Sequence, residues 1–298
     1  MDSIDICICT FRRPQVEATL RSLAALHVPT DCTIAVIIAD NDDRPSAESR
    51  VTAIAGTFPF PLRYIHAPSR NISIARNACL EAATADYVAF IDDDEVAAPS
   101  WLVALVEKQR QSQADIILGP VQAIYPDDAP RWLQQGDFHS TKPVWTQGAI
   151  TTGYAGNVLF RRLTPALRDR RFDLRLGQTG GEDTAFFAAA HKAGGRIAFA
   201  PEALITEPVP SHRLSFAWLL KRSFRSGQTH GGVLMENRPS PRPIMIALAA
   251  AKGLFCVTAA GGCLITGGQN RAWLLRGALH AGVVARLLGL SEVKVYGQ

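Results

Sequence analysis

The run YVAFIDDDE, from Tyr87 to Glu95, limits what this chain can fold into more than any other stretch. Tyr87, Val88, Ala89, Phe90 and Ile91 are apolar strand formers, too few to make a helix across a core, and read as a buried strand. Asp92, Asp93, Asp94 and Glu95 follow without a break. Four carboxylates at the end of a strand cannot all ionise without a compensating cation. If the segment stays extended, alternation sends Asp92 and Asp94 one way and Asp93 another. Two carboxylates on one side form a hard-oxygen site suited to magnesium or manganese carrying a diphosphate. The plainer alternative is an acidic loop capping the helix that starts at Pro99 or Ser100.

Other apolar runs share this pattern. Ile4 to Cys9 is a strand, followed by the loop Thr10 to Pro14 and a helix carrying Val16, Leu20, Leu23 and Leu26. Thr33 to Ala39 is a second strand, ending in Asp40, Asn41, Asp42 and Asp43. Runs apolar on both faces belong to a parallel sheet covered by helices. Leu62 to His66 is a third strand and Asn71 to Ala83 a helix. The order strand, helix, strand, strand, helix, strand puts Thr10 to Arg12, Asp40 and Asp92 to Asp94 at carboxyl ends of strands, where open α/β sheets bind ligands.

Further on, Trp101 to Arg110 reads as a helix and Ile116 to Val121 as a strand. Pro126 to Trp145 is a loop rich in proline and aromatic residues, able to cover a substrate or simply to pack. Thr152 to Phe160 is a turn and an apolar run. Gly180 and Gly181 form a permissive turn before Glu182 and Asp183, which open an apolar helix over Ala185 to Ala190. Capping accounts for acids there, and so does proton abstraction from an attacking hydroxyl. Arg196 to Ala200 is a last strand, and Pro201 to Pro210 an extended connection.

The apolar fraction of 47% and charged fraction of 19% indicate a folded chain. The net charge of +4 hides an asymmetry. From Pro208 onward 11 Lys and Arg face 2 acids, whereas 20 against 25 leave the preceding part at −5. The six cysteines show neither zinc-ligand spacing nor disulfide-scaffold density, so buried reduced thiols are expected. No basic-then-apolar leader precedes the first strand, so export is not expected. Ile244 to Ile265 is nearly uncharged, but Lys252 in its middle costs on the order of 3 kcal/mol at a bilayer centre, which disfavours full spanning. Arg271 to Leu290 mixes Arg271, Arg276, His280 and Arg286 with apolar residues, as helices bound to anionic membrane surfaces do. Peripheral attachment to the cytoplasmic face of the bacterial inner membrane is expected, with core packing of both helices as the rival.

Taken together, CTFRRP (Cys9 to Pro14), ADND (Ala39 to Asp42), NISIARN (Asn71 to Asn77), FIDDDE (Phe90 to Glu95) and GGEDTAFF (Gly180 to Phe187) resemble the family 2 glycosyltransferases of the GT-A fold. With GDFHSTKPVW, SGQTHG and the apolar tail, the chain is most similar in type to bacterial exopolysaccharide glucosyltransferases of succinoglycan biosynthesis. The resemblance implies an α/β nucleotide-sugar-binding fold with a mainly parallel sheet, over residues 1–210. Residues 1–121 would be its donor half and 122–210 its acceptor half, and 211–298 a helical, membrane-associating extension.

By the same resemblance Thr10 and Arg12 line the nucleotide pocket, Asp40 meets the base edge, and Arg76 faces the diphosphate. Asp92 lies near ribose and metal, with Asp93 beside it in the donor site. Asp94 binds the divalent cation, Mg2+ or Mn2+, and Asp183 is the base. The implied reaction adds one sugar, with inversion, from a donor such as UDP-glucose to a lipid-diphosphate oligosaccharide. Two departures from the family pattern stand out. Thr206 and Glu207 occupy the segment where many members carry a metal-binding His, leaving Glu207, His212 or water as third ligand. The Gln-x-x-Arg-Trp signature of processive synthases is missing, which implies single addition. KRSFRSGQTHG stands in its place, offering Lys221, Arg222 and Arg225 to an acceptor diphosphate, or simply a solvated helix face. Nucleic acid is not an expected partner. Two other readings are metal-dependent nucleotidyl or phosphoryl transfer, though no phosphate-cradling glycine loop occurs, and a non-catalytic scaffold that binds nucleotide sugar at the membrane.

Overall fold

A computed structural model of the protein describes residues 1–237, 240–266 and 270–293. The chain divides into two compact units. The first comprises residues 1–125, 139–177 and 182–208; the second comprises 126–138, 178–181 and 209–298.

The first unit opens with β1 (Asp2–Thr10), α1 (Val16–Ala24), β2 (Cys32–Asp40), α2 (Glu48–Ala55), β3 (Leu62–His66), α3 (Ile72–Ala82) and β4 (Tyr87–Ile91). It continues with β5 (Val96–Ala97), α4 (Trp101–Ser112), β6 (Ile116–Leu118) and β7 (Val121–Ile124). The short helix α5 (Arg131–Gly136) falls in the second unit. The hairpin β8 (Trp145–Thr146) and β9 (Ala149–Ile150), then β10 (Asn157–Arg161), α6 (Glu182–Lys192), β11 (Ile197–Phe199) and β12 (Ile205–Pro208) complete the first unit.

Seven strands form the central sheet in the order β11-β6-β10-β4-β1-β2-β3, and β5-β12-β7 form a smaller one. Only β10 runs against its neighbours in the large sheet. The sequence reading placed no helix between the second and third strands, yet parallel neighbours need a crossover, and α2 supplies it. Strand alternation splits the core cleanly. Ile4, Ile6 and Ile8 face the layer of Leu20, Leu23 and Trp101, while Cys7 and Cys9 face Ala75, Cys79, Phe172 and Phe186 on the other side. All six cysteines are free thiols.

The expected strand Ile116 to Val121 is two strands in two different sheets. Gly119 and Pro120 divide it. A Cβ on Gly119 would stand 2.5 Å from both the Ala203 carbonyl and the Asn157 amide, and Pro120 has no N–H for a ladder. Asn157 fastens the break: its amide donates to the carbonyls of Pro120 (2.9 Å) and Ala203 (2.8 Å), and its oxygen accepts from the indole of buried Trp101 at 2.8 Å.

The second unit holds α7 (Phe216–Asn237), α8 (Arg242–Thr266) and α9 (Asn270–Leu287). Helix α9 packs backbone to backbone on α7: a Cβ on Gly227 would meet the Leu279 carbonyl at 1.9 Å, and one on Gly282 the Phe224 carbonyl at 1.9 Å. Leu275, Val283, Ala285 and Leu287 of α9 are buried. Helix α8 differs. Among its described side chains only Met245, Ala249, Cys256 and Ala260 are buried, while Ile244, Leu248, Leu254, Phe255 and Val257 are exposed. Arg242–Cys263, with a mean hydropathy of 1.9, is the one stretch among the described residues long and apolar enough to cross a membrane. The last five positions of the expected extension, 294–298, lie outside the described residues.

Candidate active site

The carboxyl ends of the parallel strands share one rim, because the register sets Thr10 beside Asp40 and Asp40 beside His66. Antiparallel β10 enters the sheet at this rim, with Asn157 opposite Ile91. Gly156 therefore sits against the acidic run: a Cβ there would lie 2.7 Å from Glu95 Oε1 and 3.3 Å from Asp92 Oδ2.

The acids do not continue the strand. They turn: the Glu95 N–H donates to the Asp92 carbonyl at 3.3 Å, and Glu95 Oε2 accepts from the Asp92 N–H at 2.8 Å. The alternation expected from an extended chain therefore stops at Ile91, and each acid has its own surroundings. The Asp92 side chain is 44% exposed and lies 3.5 Å from Arg76. Asp93 is buried; it accepts from the Thr10 hydroxyl at 2.8 Å and pairs with Arg13 at 3.0 Å. Arg13 also pairs with Asp94, so one guanidinium spans two of the acids. Burial lifts the Asp93 carboxyl to about 7, against the pull of Arg13 and with a further push from Asp94. Glu95 is raised well above its ordinary value by burial, then by Asp92, with smaller pushes from Glu207 and Asp94. Glu207 on β12 is thus close enough for its charge to be felt at this turn. His212 lies in the second unit, in the one-turn helix Ser211–Arg213.

Helix α3 begins at Asn71, whose side chain accepts from the Ser73 N–H at 3.1 Å. It delivers buried Arg76 to the rim, where the guanidinium lies 5.5 Å from the Phe172 ring centroid and hydrogen-bonds Glu182. Burial would lower the Arg76 pKa, but Glu182, Asp92 and Asp183 reverse that and raise it. Asp183, next to Glu182 at the start of α6, accepts from the Ala155 N–H at 3.4 Å and the Thr184 N–H at 2.6 Å. Ala155 and Gly156 are adjacent, so Asp183 and Asp92 flank the same two residues.

Of the residues singled out in the sequence, Thr10, Arg76, Asp92, Asp93, Asp94 and Asp183 meet at this rim. Asp40 shares the rim but turns inward. Fully buried, it accepts from the Ala47 N–H (2.8 Å), the Asp42 N–H (3.1 Å) and the Tyr64 hydroxyl (2.8 Å), so it builds the wall of the site. Arg12 takes a left-handed conformation and pairs with Asp42 at 2.8 Å; the hydrogen bond from Arg12 holds the Asp42 carboxyl below its usual range. In the second unit Lys221 is exposed, and Arg222 lies 5.6 Å from the Trp218 ring centroid. Arg225 is buried and donates to the carbonyls of Thr179 (2.9 Å) and Gly180 (2.6 Å), while pairing with Glu292 at 3.0 Å. Sequence reasoning missed Arg13 and the partnership of Glu182 with Arg76. The doubled arginine of CTFRRP was the signal for the first; nothing local reveals the second, because the partners lie 106 positions apart.

Among the described residues no group of three or more His, Cys, Asp and Glu side chains is placed to hold a metal ion unaided. Asp92 and Asp94 offer oxygen only, the donor set of magnesium or manganese sites completed by substrate phosphates. The donor set fits. A cavity of about 510 Å³ opens at the opposite rim, lined by Asp2, Asp86, Tyr87 and Arg161, and includes none of these residues.

Residues 5–163 match the model of glycosyl transferase family 2. The chain belongs to that family and is a glycosyltransferase of GT-A fold. It is 52% identical over 295 residues to the succinoglycan biosynthesis protein ExoM of Rhizobium meliloti strain 1021, covering 99% of this chain and 96% of that one. It is 24% identical to the glucosyl-dolichyl phosphate glucuronosyltransferase of Haloferax volcanii, over 75% of each chain. Among solved structures it is similar in fold to residues 1–349 of S. aureus TarS, with a TM-score of 0.55 at 17% identity, over 78% of this chain and 63% of that one. The same TarS segment in complex with UDP-GlcNAc aligns with a TM-score of 0.55 at 16% identity, over 70% of this chain and 59% of that one. Family membership decides against both the nucleotidyl-transfer and the scaffold readings.

Proposed function

We propose that the protein transfers one glucose from UDP-glucose, with inversion to a β-linkage, onto a lipid-diphosphate oligosaccharide during synthesis of a succinoglycan-type exopolysaccharide. One observation carries this reading: Asp183 and Asp92 flank the same Ala155–Gly156 pair, so a lone proton acceptor and an oxygen donor for a diphosphate-bound cation share one rim. The identity to ExoM supports the pathway, and the TarS complex supports a nucleotide-sugar donor.

The acceptor hydroxyl gives its proton to Asp183 as its oxygen bonds to the anomeric carbon. The bond to the nucleoside diphosphate breaks on the opposite face, so one base suffices and the configuration inverts. A divalent ion held by Asp92 and Asp94 and completed by the donor's phosphates would offset charge developing on the leaving diphosphate. Arg76, dry and fixed by α3, faces the same charge. Thr10 and Arg13 hold Asp93 so that its neighbours keep their positions, and Arg12 with Asp42 edges the nucleotide pocket. The remainder of the donor half, residues 1–121, supplies these groups, while 122–210 brings Asp183 for the acceptor.

Lys221 and Arg222 are the cations proposed for the acceptor diphosphate, with Arg225 fixing the segment 178–181. Attachment to the cytoplasmic face of the inner membrane is proposed through the apolar surface of α8, because the apolar positions of α9 are largely spent on packing. The test is incubation with a bacterial membrane glycolipid fraction and a panel of radiolabelled nucleotide sugars, with and without chelator. Label entering lipid from UDP-glucose alone, and only with metal, is the expected result; label from another sugar, or transfer that survives chelation, overturns the corresponding part.

A further inference from the structure

Glu182 has no role in the proposed reaction, yet it occupies a costly position. It is buried, one of its oxygens pairs with Arg76, and the other, Oε2, has no hydrogen-bond partner among the described residues. A buried carboxylate oxygen left unsatisfied is destabilising, and helix capping alone does not require it, since Asp183 in the same first turn already meets the positive end of α6. The arrangement makes sense in terms of what Arg76 would otherwise do. Three acids act on Arg76 through their charge, Glu182, Asp92 and Asp183, and its contact with Asp92 is a loose 3.5 Å. The hydrogen-bond donors to Asp183 are N–H groups and a hydroxyl, and among the described residues no cation stands within ion-pair distance of it. A carboxylate locked to a guanidinium accepts a proton poorly, because the cation stabilises its charged form.

We propose that Glu182 is a positioning residue: it takes up the charge of Arg76, so that Arg76 stays directed at Asp92 and the next acid in the chain, Asp183, is left without a cation. The inference rests on the reading of Asp183 as the base. Glu182 acts through Arg76 and touches no reacting atom. Its neutral, near-isosteric replacement frees Arg76 to pair with Asp183.

The test is a double-mutant cycle with a structure. In Glu182→Gln, a crystal structure is expected to show Arg76 within about 4 Å of the Asp183 carboxylate. With UDP-glucose and membrane glycolipid, kcat should fall about tenfold or more while the donor KM changes less than about threefold. In an Arg76→Met background the same substitution should cost less than about twofold, because there is no cation left to misdirect. A packing role would cost the same in both backgrounds, and that result overturns the proposal, as does an unmoved Arg76. Should Glu182→Gln fail to fold, Glu182→Asp, which keeps the charge, is expected to retain the Arg76 pair and most of the turnover; loss of turnover with the pair intact overturns it. If the unaltered enzyme transfers no sugar, the reading of Asp183 falls, and the position of Arg76 in the variant still decides the claim about Glu182.

Discussion

In the proposed reaction individual side chains divide into those that meet substrate and those that keep the first group in place. Asp183→Asn is expected to lower turnover on the order of 10³-fold while donor affinity, read by calorimetry, shifts less than about threefold, since only proton abstraction is removed. Asp93 makes a prediction about pH. Its folded-state pKa, about 7, lies above the unfolded carboxylate value, so its contribution to stability is complete at low pH and is lost as pH rises toward 7. Urea unfolding of the ligand-free protein should show that decline between about pH 4 and 7, and Asp93→Asn should lessen it, with Glu95 and Glu182, also raised by burial, supplying the rest. The acids themselves were legible in the sequence because four carboxylates directly after an apolar strand demand a cation nearby. Their orientations were not legible: whether Asp94 faces Asp92 or shares Arg13 with Asp93 depends on a turn closed by Glu95, which period-two alternation cannot anticipate.

Elements were easier to read than their edges. Strands β3 and β4 stood in the sequence with their observed limits, since a short apolar run bounded by polar residues has one economical conformation. Helix α2 escaped notice because only Val51 along it is buried, leaving almost no apolar period to detect. The break between β6 and β7 was hidden because Gly119 is defined by what approaches it, Ala203 and Asn157, both distant in sequence. Close approach also governs the helical unit. Gly227→Ala would place a methyl group 1.9 Å from the Leu279 carbonyl. The unit should lose at least about 2 kcal/mol, visible as a lowered thermal midpoint. On α8 the opposite holds, because Leu248 and Leu254 turn most of their surface to solvent. Replacing both by Asp should leave the midpoint nearly unchanged and abolish sedimentation with lipid vesicles; retained sedimentation would move the attachment elsewhere.

At the scale of the molecule, charge and apolar surface are segregated along the chain. The acidic part contains the sheet and its rim, and the basic part contains the long helices. Binding to vesicles containing phosphatidylglycerol is therefore expected to exceed binding to neutral vesicles, and the difference should shrink as salt is raised from about 50 to 500 mM. The asymmetry was visible in the sequence; which helix presents its apolar side was not. Composition made α9 the surface-seeking helix, whereas packing against Gly227 and its neighbours on α7 claims α9 and leaves α8 outward.

The bridge from Arg13 to Asp93 and Asp94 has one more consequence. An enzyme whose acidic loop depended on a mineral partner for neutrality would come apart whenever that partner ran short. Here a tethered guanidinium meets two of the acids from within the chain, so the loop is expected to keep its fold with chelator as without it, read as an unchanged thermal midpoint.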